Sequence, residues 1–200
     1  MRVIAGIHRS RQLTAPKGTT TRPTSDRLRE TLFNILAPRI PDCRFLDLYA
    51  GTGAVGIEAL SRGAAHVWFT ENAPAALTSL RANLTALKIT KYFTIEDRST
   101  GALLERLAKA PQLANTIDMV FLDPPYEAAA EYELTLNLLG SARGRQILAP
   151  NALVIAEHGT KSPLPARFGA LTHNRLVKQG DASLSFYTLP PEAPSSDGEN

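Results

Sequence analysis

From residue 44 to about 157, short apolar runs alternate with helical patterns. Phe45-Leu46 precedes 54–62, His66–Thr70 precedes 74–87, Tyr92–Ile95 precedes 101–109, Ile117–Leu122 precedes 129–139, and Ala152–Ala156 closes the series. That rhythm predicts βαβ units, whose right-handed crossovers build a parallel sheet with helices on both faces, the doubly wound α/β class. Two further runs, Leu171–Val177 and Ser183–Leu189, flank Lys178-Gln179-Gly180-Asp181-Ala182, whose Gly-Asp predicts a turn. An antiparallel hairpin is therefore expected to close the sheet.

Ahead of the alternating region, Val3–Ile7 and Gln12–Ala15 read as a hairpin with the cationic tip His8-Arg9-Ser10-Arg11. Pro23-Thr24-Ser25 then supplies hydroxyl caps for a helix whose apolar face is Leu28, Leu32, Ile35 and Leu36, with Pro38 and Pro41 ending it. The expected organisation is a basic arm over 1–43, a catalytic-sized domain over 44–189 and a disordered acidic tail over 190–200. Two hundred residues, 44% of them hydrophobic, suit one such domain plus a small appendage.

No apolar run approaches the roughly 18 residues of a membrane span, and the first residues show no apolar stretch with a cleavage site. A soluble, cytoplasmic protein is expected. Cys43 alone allows no internal disulfide and no thiolate cage, and reads as a small residue at the start of a strand. His8, His66, His158 and His173 lack ligand spacing, so no metal is expected. Trp68, between Val67 and Phe69, reads as core; Asn83 reads either as a surface amide or as a group facing a cofactor.

The net charge of +3 is unevenly spread: the first 44 residues hold nine Lys/Arg against three Asp/Glu, and the rest hold thirteen against sixteen. A polyanion docked on the arm and a plain solvated face both account for the split. Asp47-Leu48-Tyr49-Ala50-Gly51-Thr52-Gly53-Ala54-Val55-Gly56 follows the first strand and opens a helix, a GxGxxG in the setting that lets backbone amides approach a nucleotide. Glu71 stands 20 residues beyond Gly51, where a ribose-binding carboxylate belongs. Asp47 beside the loop would oppose a pyrophosphate, whereas S-adenosylmethionine brings a sulfonium and an ammonium and no phosphate. The expected cofactor set is Asp47, Tyr49, Ala50, Gly51, Thr52, Gly53, Glu71, Asn72 and Asp97, with Glu96-Asp97 near the adenine edge and a helix-capping role for Asp97 equally open.

At the end of the fourth strand stands Asp123-Pro124-Pro125-Tyr126. A Pro-Pro pair stops a strand, which is one reading. A chemical reading goes further. The exocyclic amino group of a base is a poor nucleophile because its lone pair is delocalised into the ring. Accepting its two N–H groups on the Asp123 carboxylate and the Pro124 carbonyl localises that pair, while Pro125 stiffens the turn and Tyr126 offers a ring for an unstacked base. Methylation of a base amino group is thereby favoured over hydride transfer.

Arg2-Val3-Ile4-Ala5-Gly6, the run from Thr21-Arg22-Pro23-Thr24-Ser25-Asp26-Arg27-Leu28-Arg29-Glu30 to Leu36, Phe45–Gly53 and Asp123–Tyr126 together resemble the bacterial RsmD family, from the first residues to about Leu189. The resemblance implies a class I methyltransferase fold and transfer from S-adenosylmethionine to the N2 amino group of one guanine of 16S rRNA, within a partly assembled 30S subunit. By the same resemblance Asp47, Gly51, Gly53 and Glu71 serve the cofactor, Asp123 to Tyr126 the reacting base, and Arg22 to Arg29 the target site. The expected RNA contacts are Arg9, Arg11, Arg22, Thr24, Arg27 and Arg29, though Arg22 and Arg29 can instead pair with Asp26 or Glu30. A monomer is expected. The competing readings are a DNA adenine-N6 methyltransferase, for which the chain lacks a recognition domain, and a ribosome-assembly module without turnover.

Overall fold

A computed structural model of the chain describes residues 1–15, 25–125 and 129–190. Its sheet is formed by β1 (Arg44–Leu48), β2 (His66–Thr70), β3 (Phe93–Glu96), β4 (Ile117–Leu122), β5 (Leu148–Gly159), β6 (Arg167–Phe168), β7 (Leu171–Gln179) and β8 (Ala182–Thr188). The spatial order is β3-β2-β1-β4-β5-β8-β7-β6, with the first five strands parallel and the last three antiparallel. The helices are α1 (Asp26–Leu36), α2 (Ala54–Ser61), α3 (Pro74–Ala86), α4 (Thr100–Ala108), α5 (Ala129–Gly140) and α6 (Ala142–Arg145). The doubly wound α/β reading and the closing hairpin both hold. Among the described residues, no helix is long and apolar enough to cross a membrane.

Strand alternation divides the core in two. Phe45, Val67, Phe69, Met119 and Phe121 pack against Leu32, Phe33 and Leu36 of α1, Ile57 of α2 and Leu80 of α3. Leu46, Leu48, Val120, Leu122 and Val154 face Leu103 and Leu107 of α4 and Leu136 of α5 on the other side, joined there by Trp68. Cys43 is buried just before β1, and burial pushes its thiol up to about 12. The same alternation sends Asp47 toward α2. Its Oδ2 accepts the Gly56 N–H at 2.8 Å, and a Cβ on Gly56 would lie 2.3 Å from Phe69 and 2.9 Å from that carboxyl. Glycine is what lets α2 approach the strand closely enough for the bond.

The N-terminal segment forms the expected hairpin only in part. Around the Arg2–Gln12 bridge the Val3 N–H donates to the Arg11 carbonyl, the Ser10 N–H to the Val3 carbonyl and the Leu13 N–H to the Met1 carbonyl, while the donors of Ile4, Ala5, Ile7 and His8 are taken by α2. Glu58, fully buried on α2, accepts the Ile4 N–H at 2.7 Å, the Ala5 N–H at 2.9 Å and Arg62 Nε at 2.7 Å. Ser61 accepts the Ile7 N–H on its carbonyl and the His8 N–H on its hydroxyl. Gly6 is required there, since a Cβ would fall 1.8 Å from the Ser61 oxygen. Val3 and Leu13 belong to the same core cluster as α1–α3, so residues 1–15 are packed into the domain.

Ser25 caps α1 as expected, its Oγ accepting the Leu28 N–H at 3.1 Å. Pro23 and Thr24 of the proposed cap, and all but Pro190 of the expected tail, lie outside the described residues. Two features were not foreseen: β5 runs well beyond Ala152–Ala156, with a register shift between its pairings at Ile117 and Met119, and β6 adds a short edge strand.

Two predictions follow from these buried carboxyls. Glu58→Ala strands two backbone amides and a largely buried guanidinium, and should cost about 3 kcal/mol or more, read as a lower urea midpoint at unchanged slope. For Asp47, burial foremost, with the nearby Glu71 charge adding to it, raises the pKa from 3.8 to about 7. The unfolded chain releases this proton near pH 4 while the folded chain keeps it to about 7, so this group's contribution to stability falls as pH rises through that window. Asp47→Asn removes the titration. Its stability relative to the parent should therefore improve from pH 4 to pH 8, by at most about 1.4 kcal/mol per pH unit in urea titrations.

Candidate active site

Across the sheet, the residues Glu96, Thr70, Leu48, Leu122 and Ala156 lie on one paired row of β3, β2, β1, β4 and β5. The residues one step on are Asp97, Glu71, Tyr49, Asp123 and Glu157. Four acidic residues and a tyrosine thus share one row near the carboxyl end of the sheet, each strand about 4.8 Å from the next, with Glu157 itself buried within β5. Between β1 and β4 the winding reverses, because β1 leads outward to β2 and β3 while β4 leads to β5 in the other direction. At such a reversal the two loops part and leave a crevice. The glycine loop forms one wall and Asp123-Pro124-Pro125 the other.

The loop is held from several sides. Tyr49 (φ 64°), Gly51 (φ 56°) and Gly53 (φ 79°) all take left-handed backbone, and the Gly53 N–H closes the turn on the Ala50 carbonyl at 2.8 Å. The Ala50 N–H donates to the Thr70 carbonyl at 2.8 Å, tying the loop to β2. Glu71 accepts the Gly51 N–H on Oε2 at 2.8 Å, and the Asn72 and Ala73 N–H groups on Oε1 at 2.9 and 2.8 Å. Nothing lies within 4 Å of the position a Cβ would take on Gly51. The space over this glycine, beside the Glu71 carboxylate, is open.

The structure places the other expected cofactor residues unevenly. Asp47 lies beneath the loop at 1% exposure, holding Gly56, and burial keeps its carboxyl well above the usual carboxylate range. The expectation that it attracts a cationic ligand assumed a carboxylate at the mouth of the strand; the structure buries it and gives its Oδ2 the Gly56 amide. Tyr49 contributes backbone to the loop, but its hydroxyl donates to Glu131 Oε2 at 2.7 Å and shares a 2.7 Å bond with Thr135 on α5. Burial pushes that phenol up to about 12. Asp97 is exposed, 3.8 Å from Arg81, and the cap of α4 is Ser99, whose Oγ accepts the Ala102 N–H; the capping role for Asp97 falls away. Asn72 is exposed at the rim.

Asn83 is neither a surface amide nor a cofactor ligand. At 2% exposure it accepts the Thr14 N–H and hydroxyl at 2.8 and 2.9 Å, and donates to the carbonyls of Thr14 and Thr52, both at 3.0 Å. It therefore couples the N-terminal segment to the glycine loop. Sequence reasoning missed this role, and those of Glu58, Glu131, Thr135 and Glu157, because each depends on a neighbour far away in the chain. Strand register is the one signal that would have found Glu157.

On the substrate side, Asp123 is half-buried, Pro124 buried and Pro125 exposed, while Tyr126 lies outside the described residues, as do Arg22 and Thr24. Arg27 is exposed in the first turn of α1. Arg29, expected on the RNA, is corrected: its side chain is fully buried, 2.9 Å from Asp26 and donating to the Arg2 carbonyl. A guanidinium enclosed in this way serves the packing of α1 on the N-terminal segment. Arg9 and Arg11 are exposed, but they sit beside the C-terminal ends of α2 and α3, the end of the sheet at which β2 and β3 begin. They are not brought to the crevice. Among the described residues, no group of three or more His, Cys, Asp and Glu could hold a metal ion.

Comparison with known proteins agrees with this architecture. A family model described as "Conserved hypothetical protein 95" matches residues 1–188. Ribosomal RNA small subunit methyltransferase D of Escherichia coli K12 is 38% identical over 165 residues, covering 82% of this chain and 78% of that protein. The candidate rRNA methyltransferase YlbH of Bacillus subtilis is 35% identical over 187 residues, 94% of this chain and 98% of that one. The solved structure of the candidate methyltransferase yhhF from Escherichia coli superposes with a TM-score of 0.78 at 33% identity, over 96% of this chain and 99% of that one. With the family model and these relatives spanning nearly all of it, the chain belongs to the RsmD family.

Proposed function

We propose that the protein transfers a methyl group from S-adenosylmethionine to the exocyclic N2 amino group of a guanine in small-subunit rRNA. The observation that carries the reading is the juxtaposition, across the β1–β4 reversal, of the glycine loop with its Glu71 acceptor and the Asp123-Pro124-Pro125 turn. S-adenosylmethionine supplies an electrophilic methyl group on a sulfonium. Glu71 would hold the ribose hydroxyls over Gly51, and the row of carboxyl groups at this end of the sheet suits a cationic, phosphate-free ligand better than a pyrophosphate. Asp97, on the same row, stands on the adenine side.

On the other wall, Asp123 and the Pro124 carbonyl accept the two N–H groups of the guanine amino group. Two acceptors in fixed positions orient its lone pair toward the donor and localise it on nitrogen. Transfer leaves a surplus proton on that nitrogen, and the Asp123 carboxylate is the group placed to take it. Tyr126, following the turn, is assigned to stacking on the displaced base. The names of the relatives support rRNA as the acceptor and leave the DNA reading without a specific observation in its favour.

The decisive experiment maps radiolabelled methyl transfer onto small-subunit rRNA from a strain lacking the gene; label on any atom other than a guanine N2 refutes the proposal. Titration calorimetry should show S-adenosylmethionine binding and no micromolar binding of NAD. Asp123→Ala should lower the single-turnover methylation rate by about 10²- to 10³-fold, by analogy with loss of one preorganised hydrogen-bonding group. Its affinity for S-adenosylmethionine should stay within a few-fold. An unchanged rate would remove Asp123 from the chemistry.

A further inference from the structure

Two stretches devoid of Asp and Glu, residues 1–15 and 72–95, hold Arg2, Arg9, Arg11, Arg81, Lys88 and Lys91. The fold brings their ends together. Arg11 donates to the carbonyl of Ala86, the last residue of α3, at 3.0 Å, and so sets the 6–11 turn against the corner that leads through Lys88 and Lys91 into β3. β3 is the edge strand, which leaves this corner open to solvent. Arg9, Arg11, Lys88 and Lys91 are all exposed. Ile7, at 83% exposure, and the Tyr92 ring, at 56% with Lys91 Nζ 4.7 Å from its centre, are exposed apolar groups among them. Of the carboxylates nearby, Glu58 is fully buried and taken by the Ile4 and Ala5 amides and Arg62, and Asp118 accepts the Arg44 N–H.

The backbone of the corner points the same way. α3 closes with the Lys88 N–H on the Thr85 carbonyl and the Ile89 N–H on the Leu84 carbonyl, a Schellman closure whose left-handed position normally holds glycine. Here it holds Lys88 (φ 57°), and four residues on Tyr92 is also left-handed (φ 68°). Both residues accept unfavourable backbone, and neither side chain is buried in return. Folding alone would favour glycine at each.

We infer that this corner, formed by the 6–11 turn and the α3–β3 connection, is a second RNA-docking surface, with Arg9, Arg11, Lys88 and Lys91 on phosphates and Tyr92 against a base or sugar. It rests on the reading of rRNA as substrate and adds a requirement to it. The corner lies where the strands begin and Asp123 where they end, so one RNA touching both must wrap the height of the sheet. A folded RNA does this; a short strand lying in the crevice does not.

The test measures filter binding of a 16S rRNA transcript to the parent and to the triple variant Arg9→Gln, Lys88→Gly and Lys91→Gln, between 50 and 250 mM salt. Loss of up to three phosphate contacts should weaken binding by about tenfold or more at low salt and flatten the slope of log K against log salt by about two. S-adenosylmethionine affinity should be unchanged. Lys88→Gly alone should hold or raise the melting temperature while lowering RNA affinity, a combination that a purely structural corner does not produce. Unchanged affinity and slope in the triple variant would overturn the inference, as would tighter binding of the parent to phosphatidylserine vesicles than to the transcript. Methyl incorporation by the parent is scored in parallel on rRNA and on partly assembled 30S subunits from a strain lacking the gene: its absence from both refutes the proposed reaction, while a binding response in the variant still upholds the corner.

Discussion

A sheet wound by right-handed crossovers can change its direction of growth only by starting again from its first strand, and where it does so two neighbouring loops diverge. In this chain the change comes between β1 and β4. The crevice is therefore a consequence of strand order, and the residues that enter it are those that follow the ends of the strands. This is why the glycine loop at 49–53 and the Asp123-Pro124-Pro125 turn, seventy positions apart at their nearest, come to face one another. Neither segment makes a site by itself.

Topology supplies the crevice, and side chains from four elements supply its rigidity. Asp47 on β1 holds the start of α2 from below, and Glu71 after β2 takes the Gly51 amide from the side. Tyr49 reaches across to Thr135 and Glu131 on α5, and Asn83 on α3 takes the Thr52 carbonyl. These bonds tie the loop to the sheet and to helices on both of its faces, so the positions of its amides are set before a ligand arrives, which removes ordering cost from binding. Asn83 extends the arrangement to Thr14, so the segment that leads toward Arg22–Arg29 is anchored to the same loop that faces the donor.

How legible all of this was follows from the range of the interactions involved. β2 and β4 match their sequence limits because each is built on an apolar run, Val67-Trp68-Phe69 and Met119–Leu122, closed by a polar residue, and α1 matches because Ser25 and the apolar face agree. The glycine loop, Glu71 and Asp123-Pro124-Pro125 were legible because local spacing encodes them. The N-terminal hairpin was legible only in part, since the amides of Ile4, Ala5 and Ile7 end on Glu58 and Ser61 of α2, partners far away in the chain. Arg29 was misread for a related reason: a cation at the start of a helix looks solvent-facing until the packing of α1 encloses it against Asp26. The burial of Asp47 was not legible, because its depth is set by α2 and not by its own neighbours in sequence.

The charge imbalance noticed in the first 44 residues takes on a different meaning in three dimensions. Part of it is consumed internally by Arg29, while Arg9 and Arg11 add to Lys88 and Lys91 at the end of the sheet remote from the crevice. The crevice end carries Glu71, Asp97, Asp123 and Glu157 on one row. Such a distribution orients an approaching polyanion: phosphates are repelled from the carboxyl end and attracted to the opposite corner. On the proposed reading, a base therefore enters the crevice from a nucleic acid whose backbone is held elsewhere, and one field would serve both the cationic donor in the cleft and the polyanionic acceptor on the surface.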